Sequence, residues 1–198
     1  MIHTKAAELT TVLVNKKIIE EKSHDVYTYG FELIFSALIN IFLIAVVSIA
    51  FRRYYDWLLF LAAFIPLRTM AGGYHAKSHA ACIFVGTVSF ALSLFVSSLH
   101  FNWTYAIYFI AAFSLLLILC LSPVEAENKK LKEKRRKICR RVSIYIGCFN
   151  LGLALTVNII YGLSGIFGIY FAGVFAAALS MAAARTIYFK EGVQNEKD

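Results

Sequence analysis

Long apolar stretches alternate with short polar connections along most of the chain. Six stretches stand out, at residues 31–51, 57–67, 80–99, 103–121, 142–161 and 165–184. About 20 consecutive apolar residues make one helical crossing of a bilayer. Five of the stretches are close to that length, and the second is too short. The pattern therefore predicts an all-α, polytopic membrane helical bundle with about six hydrophobic segments.

The beginning of the chain has a different pattern, in which apolar and charged positions alternate. Ile2, Ala6, Leu9 and Leu13 recur at steps of four, three and four residues, which is the spacing of one helical face. Lysines and glutamates lie between them, as is typical of a helix in the lipid headgroup plane. This pattern predicts an N-terminal amphipathic helix, which lies at the membrane interface or packs against the bundle.

The composition agrees with a membrane protein, because 60% of the residues are hydrophobic and only 16% are charged. The four cysteines form no CxxC pair and have no regular spacing, so neither a disulfide framework nor a zinc ribbon is predicted. The N-terminus is not followed by a short apolar region with a small-residue cleavage site. We therefore expect no cleavable signal peptide.

The basic residues predict the orientation. If all six segments cross from an inner N-terminus, 18 of the 20 Lys and Arg residues lie inside, and only Arg52 and Arg53 lie outside. The positive-inside rule then places both termini and the connection after the second segment in the cytoplasm. We expect an amphipathic cytoplasmic or interfacial segment at 1–29, a cell-membrane domain at 30–185 and a cytoplasmic tail at 186–198.

The connection 122–142 carries the excess positive charge. Residues 129–141 include nine basic and one acidic side chain, which accounts for the net charge of +8. This basic loop either anchors the topology while contacting anionic lipid headgroups, or docks an acidic peptide. Nucleic acid is not an expected partner of a loop held between two spans. The residues expected to bind the peptide are Lys129, Lys130, Lys132, Lys134, Arg135 and Arg136.

The stretch 68–82 holds most of the side chains that could perform chemistry. It includes Arg68, His75, His79 and Cys82, although apolar segments lie on both sides of it. Pro66 and the Gly72-Gly73 pair disfavour helix, so we expect the second segment to end there in a bent loop. Irregular backbone at membrane depth must be buried in protein or face a water-filled cavity.

Cys82 is a candidate nucleophile. A cysteine becomes reactive when a cation, an imidazolium or a helix N-terminus stabilises its thiolate. Ser78 is expected to cap the third segment, which would place Cys82 near the first helical turn. Lys77 and a histidine would supply the cation or base. The alternative is a small buried side chain, and we expect that role for Cys120, Cys139 and Cys148.

Two histidines compete for the role of base. On a continuous helix, His79 is adjacent to Cys82, whereas His75 is two turns, about 10 Å, away. A loop that folds back before the helix would reverse this preference. His75, His79 and Cys82 could also share a helical face as metal ligands. No acidic residue lies nearby to act as the general base of such a site, so we expect no metal and no cofactor.

Several motifs together resemble the accessory gene regulator B (AgrB) family, which are integral-membrane cysteine endopeptidases of Gram-positive quorum sensing. The most specific is Arg68 followed by the Gly-Gly-Tyr-His-Ala run at 72–76 and by Cys82, seven residues after the histidine. The Tyr-Gly-x-Glu opening at 29–32 and the Ser-Pro-Val-Glu run from Ser122 agree. The similarity covers essentially the whole chain.

The resemblance implies that His75 is the base and Cys82 the nucleophile. It places Arg68 and Gly73 at the family's supporting positions, and we expect Gly72 and Ser78 to be supporting residues as well. The implied partner is an AgrD-like signal propeptide with an amphipathic leader and an acidic C-terminal tail. Cys82 would cleave before the tail and hold the remainder as a thioester, which an internal thiol or hydroxyl would take to close a ring. Membrane lipids and a second copy of the chain are further candidate partners.

Other functional classes remain open from the sequence alone. A transporter or permease subunit fits the six segments, but intramembrane polar residues are few and form no ion relay. A membrane scaffold is a third class, and neither explains the stretch 68–82. Ser78, Glu32 and Asn40 are candidates for a third catalytic group by polarity alone. Glu32 is the costliest of them to leave unpaired in lipid.

Overall fold

The computed structural model describes residues 2–73, 78–98, 103–124, 132–161 and 164–195. Within these ranges the chain is helical and contains no β-strand, which confirms the all-α prediction and the N-terminal helix. The seven α-helices found there are α1 Ile2–Asn15, α2 His24–Ala50, α3 Asp56–Ala71, α4 His79–Ser97, α5 Trp103–Leu121, α6 Glu133–Tyr161 and α7 Ser164–Asn195.

The six predicted apolar stretches coincide with helices α2 to α7. Among the described residues, four stretches are long and apolar enough to cross a membrane, and Tyr105–Leu121 is a shorter apolar helix. The four are Glu21–Ala50, Ala80–Ser97, Glu133–Thr156 and Gly168–Ile187. α3 has 16 residues and is about 24 Å long, which is less than the roughly 30 Å hydrocarbon core. The short second segment is confirmed, and six crossings stay a prediction.

Helix α7 packs against α3, α4 and α5. It runs parallel to α3, because Gly173 lies against Phe60 and Ala63, and Ser180 lies beside Gly73 just beyond the end of α3. A Cβ atom at Gly173 would lie 2.6 Å from the carbonyl oxygen of Phe60. The missing side chain therefore lets the two backbones approach closely, as small residues do between membrane helices.

Two apolar cores hold the bundle together. The larger one joins α3, α5, α6 and α7 around residues such as Leu67, Ile118 and Phe171. The smaller one joins α2, α3, α4 and α7 around Ile44, Phe60, Phe90, Leu94 and Ile169. Phe60 and Phe90 meet edge to face with ring centroids 5.1 Å apart, a favourable arrangement for aromatic rings. This second core lies beside the candidate site and fixes α3 against α4.

The N-terminal helix folds back along the first part of α2. The His3 ring pairs with the Glu32 carboxylate, and the Thr11 hydroxyl lies 3.4 Å from a ring nitrogen of His24. These two contacts require an antiparallel arrangement. The helix therefore packs against the beginning of α2, and its placement relative to the membrane interface stays a prediction.

Two neighbouring positions of α1 differ in burial. Leu9 is 39% exposed, whereas the neighbouring Thr10 is fully buried. The Thr10 hydroxyl donates to the Ala6 carbonyl at 2.9 Å. Because the helix itself satisfies this hydroxyl, the threonine occupies a packed position without an unpaired polar group.

Several helices extend beyond the predicted apolar stretches. α6 begins at Glu133, so residues 133–142 of the predicted basic loop are helical. α7 continues to Asn195, into the region expected as a tail. Lys and Arg are good helix formers. The length of an apolar stretch, however, indicates only the part of a helix that would lie in lipid.

The turn between α2 and α3 contains Arg52 and Arg53, the two basic residues predicted on the outer side. Arg53 forms a 2.7 Å ion pair with Asp56, whose side chain is 12% exposed. The Ser48 hydroxyl also donates to the Arg53 carbonyl oxygen. The ion pair and the hydrogen bond connect the turn to the end of α2 and the beginning of α3.

Candidate active site

The end of α3 confirms the predicted stop at the two glycines. The helix continues past Pro66 for one more turn, ends at Ala71 and is followed by Gly72 with φ 78° and Gly73 with φ 145°. Both torsion angles lie in the region that favours glycine. The chain therefore turns sharply at this point, immediately after Arg68 in the last turn of α3.

Gly72 joins the end of α3 to the segment that follows α5. The Val124 N–H donates to the Ala71 carbonyl oxygen at 2.9 Å, and Gly72 and Val124 form an isolated parallel β-bridge. A Cβ atom at Gly72 would lie 2.2 Å from the Val124 oxygen. This contact places the beginning of the connection 122–132 beside the candidate site.

Gly73 brings its backbone against Arg68. A Cβ atom at Gly73 would lie 2.0 Å from Arg68 Nη1 and 2.6 Å from Ser180 Oγ of α7. The Nη1 atom is buried. Because the glycine leaves no side chain in this space, the guanidinium lies between the turn and α7.

Cys82 lies in the first full turn of α4. Ser78 has an extended backbone and its hydroxyl accepts a hydrogen bond from the Ala81 N–H at 3.2 Å, which confirms the predicted cap. The Cys82 N–H then makes a helical bond to the Ser78 carbonyl at 3.1 Å. The half-buried Cys82 therefore lies near the positive end of the α4 dipole.

The extended backbone of Ser78 determines whether one helix can contain both histidines and Cys82. It interrupts any continuous helix from residue 75 to residue 82, so the helical face that would have aligned His75, His79 and Cys82 as metal ligands is broken. His79 is the first residue of α4. His75 lies outside the described residues, and its role as base stays a prediction.

A cavity of about 580 Å³ connects the Arg68, Cys82 and Ser180 side chains. Its wall is formed by α2, α3, α4, α5 and α7, with Arg68, Cys82 and Ser180 at one end and Ser97 and Gly168 at the other. The fifteen residue steps from Cys82 to Ser97 correspond to about 22 Å along α4. The cavity therefore extends from the candidate nucleophile along most of that helix.

Most of the cavity wall is apolar, and two of its serines are satisfied within α4. The Ser93 hydroxyl donates to the Ser89 carbonyl at 2.7 Å, and the Ser97 hydroxyl donates to the Leu94 carbonyl at 2.9 Å. Both hydroxyls use their one donor within the helix and can offer only acceptor positions to the cavity. The space therefore suits apolar groups better than ions.

Asn40 brings an amide group to this wall, one turn of α4 beyond Cys82. A Cβ atom at Gly86 would lie 2.7 Å from Asn40 Nδ2, so the amide packs against the glycine backbone. The Thr87 hydroxyl donates to Asn40 Oδ1 at 3.2 Å. The sequence identified Asn40 by polarity alone, and the structure places it in the same cavity as Cys82.

A family model described as accessory gene regulator B matches residues 6–180. The chain belongs to this family. No curated protein and no solved structure matches it. As an AgrB family member it is a membrane protein of the accessory gene regulator system, and that system links it to an AgrD propeptide.

Three residues of the site were not identified from the sequence. Ser180 meets Arg68 and Gly73, Gly86 accommodates Asn40, and Val124 pairs with Gly72. Each contact joins residues that are distant in the sequence. Val124 lies in the Ser-Pro-Val-Glu run, which indicated the family but not the contact, and Gly86 could not be distinguished from the other helical glycines.

The remaining cysteines lie away from the cavity lining. Cys139 is buried in α6, and its carbonyl accepts a hydrogen bond from the Ser143 hydroxyl at 2.7 Å. Cys120 and Cys148 are exposed on α5 and α6. The burial expected for all three holds only for Cys139.

The basic residues form a charged end on α6. Lys132, Lys134, Arg135 and Arg136 are exposed, and Lys137 pairs with Glu133 at 2.7 Å. The β-bridge between Gly72 and Val124 shows that the connection leading to α6 starts at the Arg68 end of the cavity. Lys129 and Lys130 lie outside the described residues.

Proposed function

We propose that this chain is a membrane cysteine endopeptidase that removes the acidic C-terminal tail of an AgrD-like signal propeptide and cyclises the remainder. The observation that carries the proposal is the position of Cys82, near the N-terminus of α4 and in the wall of an elongated apolar cavity. Membership of the AgrB family over residues 6–180 supports the same chemistry.

In the first step, Cys82 Sγ attacks the carbonyl carbon before the tail. His75 takes the thiol proton and delivers it to the tail's amide nitrogen as the C–N bond breaks. The tail leaves with a free amine, and the acyl group remains on Cys82 as a thioester. Arg68 lines the same cavity, and its positive charge can stabilise the oxyanion that forms during the attack.

In the second step, an internal thiol or hydroxyl of the bound peptide attacks the thioester carbonyl. The C–S bond to Cys82 breaks, the attacking group loses its proton through His75, and the Cys82 thiol is restored. A thiol gives a thiolactone and a hydroxyl gives a lactone. Attack within one bound peptide has a high effective concentration, which favours the ring over hydrolysis.

The charge distribution supports a cytoplasmic orientation for this site and for both termini. Parallel packing of α3 with α7, and the tie from Val124 to α3, bring the candidate site and the basic part of α6 to one end of the bundle. The Arg52-Arg53 turn lies at the opposite end of α3. The positive-inside rule therefore favours the basic end as the cytoplasmic one, where its charges would attract an acidic tail.

The test uses the protein in sealed vesicles with a synthetic AgrD-like propeptide. We expect mass spectrometry to show the free tail and a second product lighter by one water than the linear N-terminal fragment. Hydroxylamine should release an acyl hydroxamate from wild-type protein and none from Cys82→Ala.

Cys120→Ala and Cys148→Ala are the matched controls and should retain activity. Tail release by Cys82→Ala would show that the cysteine mechanism is wrong. A linear fragment with a free carboxylate as the sole product would show that the protein only hydrolyses.

A further inference from the structure

The Asn40 amide is one of the polar groups in the wall of the cavity beside Cys82, about one helical turn away from the candidate nucleophile. Asn40 Oδ1 accepts a hydrogen bond from the Thr87 hydroxyl at 3.2 Å, which fixes the orientation of the amide. Asn40 is partly buried, and its side-chain hydrogen bond among the described residues is made by Oδ1, so that Nδ2 donates to none of them. An amide in a membrane helix is costly unless it has partners, so its position in this cavity calls for a ligand.

The polarity of the cavity determines which part of the substrate can enter it. A charged tail would lose its hydration in the apolar space, whereas the exposed basic residues of α6 at the Cys82 end can attract it. The acyl segment, which precedes the cleaved bond, is the part that can extend along α4 from Cys82 towards Ser97. This direction rests on the proposed function.

The spacing on α4 defines which peptide group Asn40 meets. Asn40 packs against Gly86, four residues beyond Cys82, which is about 6 Å along the helix axis. An extended peptide advances about 3.3 Å per residue. The amide is therefore about two peptide residues away from the acylated carbonyl.

We propose that Asn40 is a substrate-binding residue, whose Nδ2 donates a hydrogen bond to the peptide carbonyl two residues before the acylated residue. Gly86 supplies the space that this amide occupies, and Thr87 holds its orientation. The three residues thus form a subsite for the peptide backbone in a cavity that otherwise accepts apolar side chains.

The test measures how fast Cys82 is labelled in vesicles by acetyl-tetraleucine chloromethyl ketone. In a second probe, an alkene isostere replaces the peptide bond whose carbonyl lies two residues before the ketone-bearing residue. In a third probe, the isostere replaces the next bond towards the ketone. Chloroacetamide reports the intrinsic reactivity of the thiol.

Asn40→Leu keeps the approximate shape of the side chain and removes the amide. We expect it to slow labelling by the tetraleucine probe about three- to tenfold, as loss of one hydrogen bond implies. The second probe should label wild type and Asn40→Leu at the same reduced rate. The isostere removes the acceptor and the substitution removes the donor of the same hydrogen bond, so the two losses do not add. Chloroacetamide labelling should not change.

Thr87→Val should cause part of the same loss and provides a second route if Asn40→Leu does not insert. Asn150→Leu is the matched control, because Asn150 is a buried amide outside the cavity lining. It should not alter the preference between probes.

Equal slowing of the tetraleucine probe and both isostere probes by Asn40→Leu would overturn the proposal. It would also be overturned if the tetraleucine probe labelled Cys82 no faster than chloroacetamide does. Neither result depends on propeptide processing. Failure of this subsite is therefore distinguishable from failure of the proposed peptidase.

Discussion

Replacing Gly73 by alanine tests how the turn positions Arg68. The new Cβ would lie 2.0 Å from Arg68 Nη1 and 2.6 Å from Ser180 Oγ, so the guanidinium must move. The backbone also has φ 145°, which a residue with a Cβ rarely adopts. Strain of this kind costs about 1–3 kcal/mol.

The expected loss of activity follows from that strain. If the chain relieves it by moving Arg68 away from the reacting carbonyl, 1–3 kcal/mol corresponds to a fall in kcat/KM of about five- to 150-fold. Arg68→Lys should have a similar effect, because lysine cannot reproduce the planar guanidinium. The double variant should lose less than the sum of the two single changes, since both act through one group.

The assay is tail release from a synthetic AgrD-like propeptide, normalised to the amount of inserted protein. Gly30→Ala is the matched control, because its Cβ meets no heavy atom within 4 Å and alanine favours helix. Wild-type kinetics for Gly73→Ala, or a loss no greater than that of Gly30→Ala, would refute this role of the turn.

Two further predictions concern the base and the charged end. His75→Ala should abolish tail release as fully as Cys82→Ala, because a catalytic pair acts as one unit, whereas His79→Ala should retain activity; the opposite result would make His79 the base, and loss on adding a chelator would favour a metal site. Changing Lys134, Arg135 and Arg136 to Glu should raise KM for an acid-tailed peptide more than it lowers kcat, with a smaller effect at high salt. Altered protease accessibility of this region in sealed vesicles would instead show that these charges only set the orientation.

The sequence predicted the features that depend on local chemistry. The short α3, its end at the glycines and the Ser78 cap all follow from residues within one or two turns of each other. The same local character explains the errors. The apolar pattern could not show that α6 begins at Glu133, because a solvated helix start needs no apolar face.

Contacts between distant segments could not be read from the sequence. Gly73 was expected to be a supporting residue, but its physical task depends on Arg68 and Ser180, which belong to two different helices. Asn40 and Gly86 are likewise 46 positions apart in the sequence. A polarity pattern identifies each residue separately, whereas the site depends on which helix faces which.

The apolar cavity leads to a prediction about how the thioester is resolved. Exchange of one thioester for another is nearly balanced in energy, so the ring forms in good yield only if water reaches the acyl group slowly and the cut tail departs. Ile44 lines the cavity near Asn40 and is 1% exposed. Ile44→Asn introduces an amide that would bring water, whereas Ile44→Leu keeps the wall apolar with a side chain of similar shape. We expect the ratio of linear to cyclic product to rise in Ile44→Asn and to stay low in Ile44→Leu. The same ratio in both variants would show that the wall does not protect the thioester, and that the internal nucleophile prevails over water by its effective concentration alone.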